Sequence, residues 1–313
     1  MPDDDGDNAG WGPSRWQAET GDRKHRILEN PMNNPVAVGY DGSSHSRSAV
    51  DVALNEARMR GSRLVILHSA VTPMAGMPPE VLAPWGDEGA ARRGLQDMLT
   101  TVADEVSTVA PDVPVETELL LGDTVGRQLV EKSRHCRLMV VGSRGRGGFK
   151  GLLLGSTSSQ LAAHAHCPVL VARTDVPSPD GPVVVGVDGH SSTPAVRFAV
   201  EEASLRGVPL FAVHVQRRRL AGADGSTVTR QAREAVLAEA IPAPLEEHPE
   251  LRVTRQVLFG RVREVMLDQS QEAGLLVVGA RGRGGLGRMR LGSTSQALLY
   301  HAPCSVAVVA ERA

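Results

Sequence analysis

The chain has 313 residues, of which 41% are apolar and only 3% aromatic, so it can form hydrophobic cores built mainly from Val, Leu, Ala and Ile. Its formal net charge of −2 provides no overall basic field that would attract nucleic acid. No apolar run approaches the roughly 20 residues that a membrane-spanning helix needs, so no membrane partner is expected.

The amino-terminal segment and the cysteines indicate the cellular compartment in which the protein is expected. Residues 1–33 are acidic, poor in apolar residues and without an apolar secretion segment, so we expect a disordered tail and no export. Trp11 and Trp16 in this tail are either incidental or dock onto a groove or a partner. The three cysteines are an odd number in a long chain and indicate no disulfide framework, which fits a reducing cytoplasm.

The first half of the chain alternates short apolar runs with segments of helical spacing. Strands are predicted at residues 36–43, 63–69, 115–121, 138–141 and 168–172, and helices at residues 44–60, 88–109, 125–133 and 158–164. Gly61 is a predicted carboxyl-terminal stop for the first helix. The order β-α-β-α-β-α-β-α-β predicts an α/β domain with a mostly parallel, five-stranded, doubly wound sheet and helices on both faces.

The second half repeats this order after a linker rich in Pro and Asp. The segment 183–189 matches 36–42, the segment 201–207 matches 55–61, and His214 matches His68 at the end of the second strand. We predict a domain at 34–174, a linker at 175–181 and a second domain at 182–313, because a repeat of this length suits a complete domain rather than a solenoid unit. Pro242 and Pro244 interrupt the helix predicted at 232–247.

One glycine pattern occurs once in each half, between the fourth predicted strand and the helix that follows. It has two glycines three residues apart, then nine residues, then Gly-Ser-Thr. The fixed positions are Gly142, Gly145, Gly155, Ser156 and Thr157 in the first half, and Gly279, Gly282, Gly292, Ser293 and Thr294 in the second. Backbone N–H groups in such a loop, together with the positive end of the helix dipole, favour an anion such as phosphate.

The side chains in these loops also favour phosphate. Arg144, Arg146, Arg281 and Arg283 lie beside the glycines, where a purely structural turn needs no arginine and a phosphate site uses charge-assisted contacts. The Ser-Thr pairs fall at the expected helix N-cap, where their hydroxyls either cap the helix or contact phosphate. The pattern is neither a Walker A loop nor the dinucleotide fingerprint, which follows a first strand.

Asp41 and Asp188 end the first predicted strand of each half and are each followed by glycine. Asp-Gly is a common turn pair, which is one explanation. The other is functional: carboxyl ends of parallel strands line the ligand crevice, and the first and fourth strands lie side by side in a doubly wound sheet. Each carboxylate would then lie near the phosphate loop and accept hydrogen bonds from ribose hydroxyls or an adenine amino group.

No metal site and no catalytic residue is predicted. His164, His166 and Cys167 end the first half, and His301 and Cys304 end the second, but no further Cys or His pair completes a tetrahedral set. The sequence has no G-x-S-x-G elbow and no H-E-x-x-H motif.

On these motifs the chain resembles the universal stress protein family, in its tandem, nucleotide-binding form. The family signature G-2x-G-9x-G-[ST] is present in both halves, as is the V-G-x-D-G-S strand end, with His190 in place of Ser in the second half. The H-x-x-C-P-V entry to the last strand is present at 164–169, and the second copy reads H-A-P-C-S-V at 301–306. The resemblance covers about residues 35–173 and 182–310.

The resemblance implies a fold of the adenine nucleotide alpha hydrolase-like type, ATP with or without Mg²⁺ in each domain, and a homodimer through the last strands. Asp41 and Asp188 would contact ribose or adenine, with Gly39 and Gly186 close by. The implied phosphate-binding positions are Gly142, Ser143, Arg144, Gly145, Arg146, Gly147, Gly148, Gly155, Ser156 and Thr157 in the first domain, and Gly279, Ala280, Arg281, Gly282, Arg283, Gly284, Gly285, Gly292, Ser293 and Thr294 in the second.

The function implied is that of a cytoplasmic ATP-binding regulator of stress response or growth, acting through nucleotide-dependent conformation or partner binding. Two phosphate loops without an evident base or a pair of metal-binding carboxylates are the reason to expect regulation rather than turnover. Two alternatives stay open: a slow ATPase or nucleotidyl-transfer enzyme of related topology, and an interaction scaffold with vestigial loops.

Overall fold

A computed structural model describes residues 34–71, 88–122, 124–145, 154–189, 193–216, 237, 245–281 and 291–310. The strands are β1 (Val36–Gly39), β2 (Leu64–Val71), β3 (Val115–Gly122), β4 (Leu138–Gly142), β5 (Val169–Ala172), β6 (Val183–Gly186), β7 (Leu210–Gln216), β8 (Val253–Phe259), β9 (Leu275–Gly279) and β10 (Ser305–Val309). The helices are α1 (Ser44–Met59), α2 (Glu88–Val109), α3 (Val125–Lys132), α4 (Ser156–His164), α5 (Thr193–Arg206), α6 (Val262–Gln269) and α7 (Ser293–His301). The tail with Trp11 and Trp16, and most of the interrupted helix at 232–247, lie outside the described residues.

The strands form one sheet of two parallel halves. The first half has the order β3-β2-β1-β4-β5 and the second repeats it as β8-β7-β6-β9-β10. Every neighbouring pair within a half is parallel. The halves join where β5 pairs antiparallel with β10, with Val171 opposite Val306 and Val169 opposite Val308. The predicted tandem α/β class is therefore confirmed, and the two sheets are continuous across the chain.

The pairing of β5 with β10 corrects one prediction. The last strands were expected to join two chains in a homodimer, but here they pair with each other inside one chain. Each also pairs with its neighbour in its own half, β5 with β4 and β10 with β9, so both edges of each strand are occupied. A strand has only two edges for ladder hydrogen bonds, so these strands leave no edge for a second chain.

Two hydrophobic cores lie on opposite faces of the sheet. Along β1, Val36 and Val38 pack in the core formed with α1, α2 and α5, whereas Ala37 packs in the core formed with α3, α4, α6 and α7. Because both faces are covered, the inner strands β1, β4, β6 and β9 are almost continuously apolar, whereas the edge strands β3 and β8 carry polar residues. None of the helices among the described residues is both long and apolar enough to span a bilayer.

The ends of α1 follow from local chemistry. The Ser43 side chain is the N-cap and accepts a hydrogen bond from the Ser46 amide at 3.2 Å. After the helix, Gly61 has φ +57°, the left-handed conformation that glycine adopts without strain. The predicted stop at Gly61 is confirmed, and Gly207 has the matching conformation after α5, with φ +66°.

The carboxyl-terminal ends of α1 and α5 meet in a buried ion-pair cluster, formed by Glu56, Arg60, Glu202 and Arg206. Arg60 pairs with Glu56 and with Glu202, and Arg206 pairs with Glu202 at 3.0 Å and with Glu56. The side chains of Glu56 and Arg60 are each 1% exposed and that of Glu202 is 0% exposed. The two halves contribute one glutamate and one arginine each, so every charge has partners on both helices.

Burial has an electrostatic consequence at Glu56. Desolvation raises the pKa of the Glu56 carboxyl from 4.5 to about 7, and the neighbouring Glu202 carboxylate adds to this effect, while Arg60 and Arg206 oppose it. The protonated form of Glu56 is thus favoured in the folded state relative to the unfolded state. The contribution of Glu56 to the free energy of unfolding must therefore fall as pH rises from about 4.5 to about 7.

Replacing Arg60 by Met should lower the free energy of unfolding by about 3–5 kcal/mol, because it leaves two buried carboxylates without their central partner. Urea denaturation at fixed pH measures the change. Arg58→Met, two positions away on the same helix, is the control, because Arg58 pairs with Asp112 at 2.8 Å where both side chains are about half exposed. Equal effects of the two substitutions would contradict the importance of the cluster.

The pH dependence can be tested with Glu56→Gln, which keeps the shape of the side chain and removes its ionisation. The free energy of unfolding of the wild type, minus that of the variant, should decrease as pH rises between about 5 and 7. Glu105→Gln, which removes a carboxylate from an exposed pair with Arg47, is the matched control for the loss of one carboxylate. A difference in the free energy of unfolding between wild type and Glu56→Gln that stays constant or increases with pH would contradict the raised pKa of Glu56.

Candidate functional site

A cavity of about 500 Å³ opens at the carboxyl edge of the first half, where β1 and β4 end side by side. The strand order reverses at this point, with β2 on one side of the pair and β5 on the other, which is where open α/β sheets bind ligands. The lining residues are Gly39, Tyr40, Asp41, Ser46, Leu67, His68, Ser69, Val125, Leu129, Val141, Gly142, Arg144, Gly145, Leu154, Gly155, Ser156, Thr157 and Ser158. The structure thus places Asp41 and the described part of the glycine pattern around one cavity.

Asp41 is held in a turn that fixes its carboxylate. Its Oδ1 accepts a hydrogen bond from the Ser43 amide at 3.0 Å, and Gly42 between them has φ +81°. Its Oδ2 faces the glycine loop so closely that a Cβ added at Gly145 would lie 2.5 Å from it. Asp41 therefore forms a turn, and this turn directs a carboxylate oxygen at the loop, whereas its contact with ribose or adenine stays a prediction.

The glycine loop is closed at its base by backbone and side-chain hydrogen bonds. The Gly155 amide donates to the Ser143 carbonyl at 2.8 Å, and the Ser158 hydroxyl donates to the Gly142 carbonyl at 2.8 Å. Gly142 has no room for a side chain, because an added Cβ would lie 2.7 Å from the His45 carbonyl oxygen. The two ends of the loop are thus fixed against each other and against the start of α1.

The start of α4 corrects the predicted cap. The N-cap is Gly155, with φ −74° and ψ 154°, and no side chain caps the helix. Ser156 and Thr157 are the first two helical residues instead, as Ser293 and Thr294 are after the N-cap Gly292 in the second half. A glycine cap supplies no hydroxyl or carboxylate, so the first N–H groups of the helix stay available to an anion beside the cavity.

Positive charge lies at the rim of this cavity. Arg144 lines it and is exposed, and Arg173 follows β5 nearby. Burial lowers the pKa of the Arg173 guanidinium, and the positive charge of Arg144 acts in the same direction, against an opposing effect of Cys304. The Arg173 guanidinium donates to the Leu299 carbonyl of α7 at 2.5 Å, so Arg144 is the arginine among the described residues that lines the cavity. The predicted loop residues Arg146, Gly147 and Gly148 lie outside the described residues.

The second half repeats the framework as far as it is described. The Gly292 amide donates to the Ala280 carbonyl at 2.7 Å, and the Ser295 hydroxyl donates to the Gly279 carbonyl at 2.7 Å, matching the two bonds at the base of the first loop. Asp188 follows β6 as Asp41 follows β1, with Gly186 as the last residue of the strand. Arg281 is exposed at the start of the loop. His190 and the predicted residues Gly282, Arg283, Gly284 and Gly285 lie outside the described residues.

The cavity contains residues that the glycine and aspartate motifs did not single out. Apolar lining comes from Leu67, Val125, Leu129 and Leu154, and these side chains follow from the fold rather than from a motif. His68 also lines the cavity, and the repeat offered a signal for it, because His214 occupies the same position in the second half.

Of the histidines and cysteines that cluster in the sequence, the cysteines are buried in the core, whereas His164, His166 and His301 are exposed. All three cysteines are free and buried, and burial raises the pKa of the Cys136 thiol to about 12 and that of Cys304 to about 11. Across the part of the chain that the structure describes, no three His, Cys, Asp or Glu side chains come together in a way that would hold a metal ion.

Fold and site together define a class: a tandem, doubly wound α/β protein with a glycine-rich loop at the switch point of each half. The model of the universal stress protein family matches residues 32–173 and again residues 181–310. The chain belongs to the universal stress protein family.

Several known proteins are similar to this chain. Universal stress protein Rv2005c of Mycobacterium tuberculosis is 38% identical over 287 residues, which cover 87% of this chain and 96% of that protein. A solved universal stress protein from Archaeoglobus fulgidus DSM 4304 has a TM-score of 0.64 at 23% identity and covers 90% of this chain and 98% of its own, which shows the fold. Another from Archaeoglobus fulgidus, solved in complex with dAMP, covers 41% of this chain and 97% of its own at 24% identity, with a TM-score of 0.32.

Gly142→Ala should lower the free energy of unfolding by about 1–3 kcal/mol, because the new methyl group meets the backbone of His45 rather than a movable side chain. Chemical denaturation monitored by circular dichroism measures this. Gly94→Ala is the control with the opposite sign: Gly94 lies in α2 with nothing within 4 Å of the added Cβ, so alanine should stabilise by about 0.5–1 kcal/mol. A neutral Gly142→Ala would refute the close approach of the loop to α1.

Proposed function

We propose that the chain binds ATP in both halves and acts as a cytoplasmic regulator of stress response or growth through nucleotide-dependent conformation or partner binding. One observation carries the proposal: the Asp41 carboxylate, the glycine loop and the uncapped start of α4 surround one cavity. Its volume of about 500 Å³ lies within the range of small-molecule sites, roughly 300–1,000 Å³.

The lining residues suit the separate parts of a nucleotide. The phosphates would lie at the start of α4 and along the loop from Gly142 to Gly145, where N–H groups and Arg144 provide positive potential. The Asp41 carboxylate would accept hydrogen bonds from the ribose hydroxyls, and the base would lie against apolar residues such as Val125 and Leu129. Asp188, Arg281 and the start of α7 would do the same in the second half.

Mg²⁺ would be bound mainly by the phosphates of the nucleotide and not by a cluster of protein ligands. Among the described residues Asp41 is the one carboxylate that lines the cavity. Mg²⁺ commonly keeps several waters and is held by one or two carboxylates together with substrate phosphates, so a single carboxylate is compatible with a phosphate-borne ion.

The first test is the identity of the ligand. Protein purified without added nucleotide and then denatured should release an adenine nucleotide, identified by mass spectrometry. ATP fits the proposal directly, whereas AMP or ADP would keep the site and change the ligand. Steady turnover of added ATP with Mg²⁺ near ~1 s⁻¹ or more would favour the enzyme alternative, and the absence of any nucleotide binding would favour the scaffold.

The second test compares ATP binding at the two sites of one chain. Isothermal titration of nucleotide-free protein should give two ATP sites per chain for the wild type. In Asp41→Asn one of the two should bind roughly 10–100-fold more weakly, because a neutral amide loses charge-assisted hydrogen bonds worth about 1.5–3 kcal/mol. The site that contains Asp188 should bind unchanged and serves as the internal control.

Gly145→Ala tests the same site without removing a charge. The added methyl group would meet Asp41 Oδ2 at 2.5 Å, so the carboxylate must turn away while the backbone keeps its place. We expect at least a ~10-fold loss of affinity at the first site, with the free energy of unfolding little changed. Gly94→Ala should leave both sites unaffected, and wild-type affinity in Gly145→Ala would argue against contact of Asp41 with the nucleotide.

A further inference from the structure

The last backbone hydrogen bond between β1 and β2 is followed by a bond from a histidine ring. The Tyr40 amide donates to the Leu67 carbonyl at 2.8 Å, continuing the parallel ladder. The Tyr40 carbonyl oxygen then lies 2.7 Å from Nδ1 of His68, whose side chain is buried, 9% exposed. The chain leaves the sheet at this point to form the turn that carries Asp41.

The second half has the same arrangement. The Val187 amide donates to the Val213 carbonyl at 2.9 Å, and the Val187 carbonyl oxygen lies 2.7 Å from Nδ1 of His214. Val187 precedes Asp188 just as Tyr40 precedes Asp41. A bond present at both switch points, with the same ring nitrogen and the same length, follows from the fold of each half and not from one local environment.

The acceptor determines the tautomer of each histidine. A carbonyl oxygen accepts hydrogen bonds and never donates them, so Nδ1 must carry the proton in both rings. In the neutral imidazole, Nε2 is then unprotonated. The ring supplies the hydrogen bond that the carbonyl needs at the end of the sheet, where a buried and unpaired carbonyl is costly.

In the first half, the peptide group between Tyr40 and Asp41 is held at both ends by side chains. Its carbonyl bonds to His68 from β2, and its N–H donates to the Ser46 hydroxyl of α1 at 3.3 Å. Two bonds in opposite directions fix the rotation of this peptide plane. That plane sets the direction in which the Asp41 side chain leaves the backbone.

We propose that His68 and His214 are positioning residues for the bound nucleotide. Each ring, in its Nδ1–H tautomer, holds the carbonyl that precedes the ribose-contacting aspartate, and so directs that carboxylate into the site. The inference rests on the proposed function, because it assigns these histidines their role through Asp41 and Asp188.

The test compares three substitutions of His68 in the full chain. His68→Asn places an N–H donor near the position of Nδ1, His68→Gln places its donor one bond further out, and His68→Phe keeps the ring without a donor. We expect His68→Phe and His68→Gln to lower ATP affinity at the first site at least ~10-fold, and His68→Asn to restore it to within about threefold of the wild type. The second site should stay unchanged in all three, and His214→Phe should affect only the second site.

Two further measurements separate the outcomes. Long-range ¹H–¹⁵N correlation spectra of the nucleotide-free protein at alkaline pH should show the Nδ1–H tautomer for both rings, and an Nε2–H tautomer for either would overturn the inference. Wild-type protein that binds no nucleotide would refute the proposed function itself. Wild-type binding together with full affinity in His68→Phe, or with no rescue by His68→Asn, would refute the positioning role alone.

Discussion

The parallel pairing of β1 with β4 is the constraint on which the candidate site depends. Parallel strands end at the same edge of a sheet, so the turn after β1 and the loop after β4 meet there. Asp41 and Gly145 are more than a hundred positions apart in the chain, yet they approach so closely that the loop accepts no side chain at Gly145 without displacing the carboxylate. The order of the strands therefore brings the residues of the site together, and no single motif does so by itself.

The parallel pairing of the first and fourth strands occurs in both halves of the chain, and two structural features connect the halves. The antiparallel pairing of β5 with β10 makes one sheet of the two halves. On one face, the buried ion-pair cluster joins the ends of α1 and α5, which begin near the first and second sites respectively. Removing either partner from a buried pair is costly, because the remaining charge loses both its counter-ion and its hydration.

Much of this architecture could be predicted from sequence, for identifiable reasons. The elements were predictable because buried parallel strands are continuous apolar runs and because Gly61 and Gly207 mark helix ends. The candidate site was predictable in outline because its motif is local and duplicated. The cap of α4 was not, because Ser156 and Gly155 are both plausible N-caps in sequence and only the extended backbone of Gly155 decides between them.

Long-range pairings were beyond the sequence for a different reason. The partner of β5 could not be identified, because a short apolar strand pairs equally well with a strand of its own chain or of a second chain. The cluster links Glu56 to Arg206, which are 150 positions apart, and each half already satisfies a helical i, i+4 pair on its own. The i, i+4 spacing alone is compatible with two separate local ion pairs, whereas the structure has one shared cluster.

These couplings limit how nucleotide binding could act on partners. A movement of one half against the other would break the hydrogen bonds of the β5–β10 ladder and separate the paired charges of the cluster. Nucleotide at one site can shift an equilibrium only by its difference in affinity for the two states. We therefore expect nucleotide binding to change the conformation of the loops beside each cavity, which carry Arg144 and Arg281. The relative position of the two halves should stay the same. A partner that distinguishes the nucleotide-free protein from the nucleotide-bound protein would then bind at the carboxyl edge of the sheet.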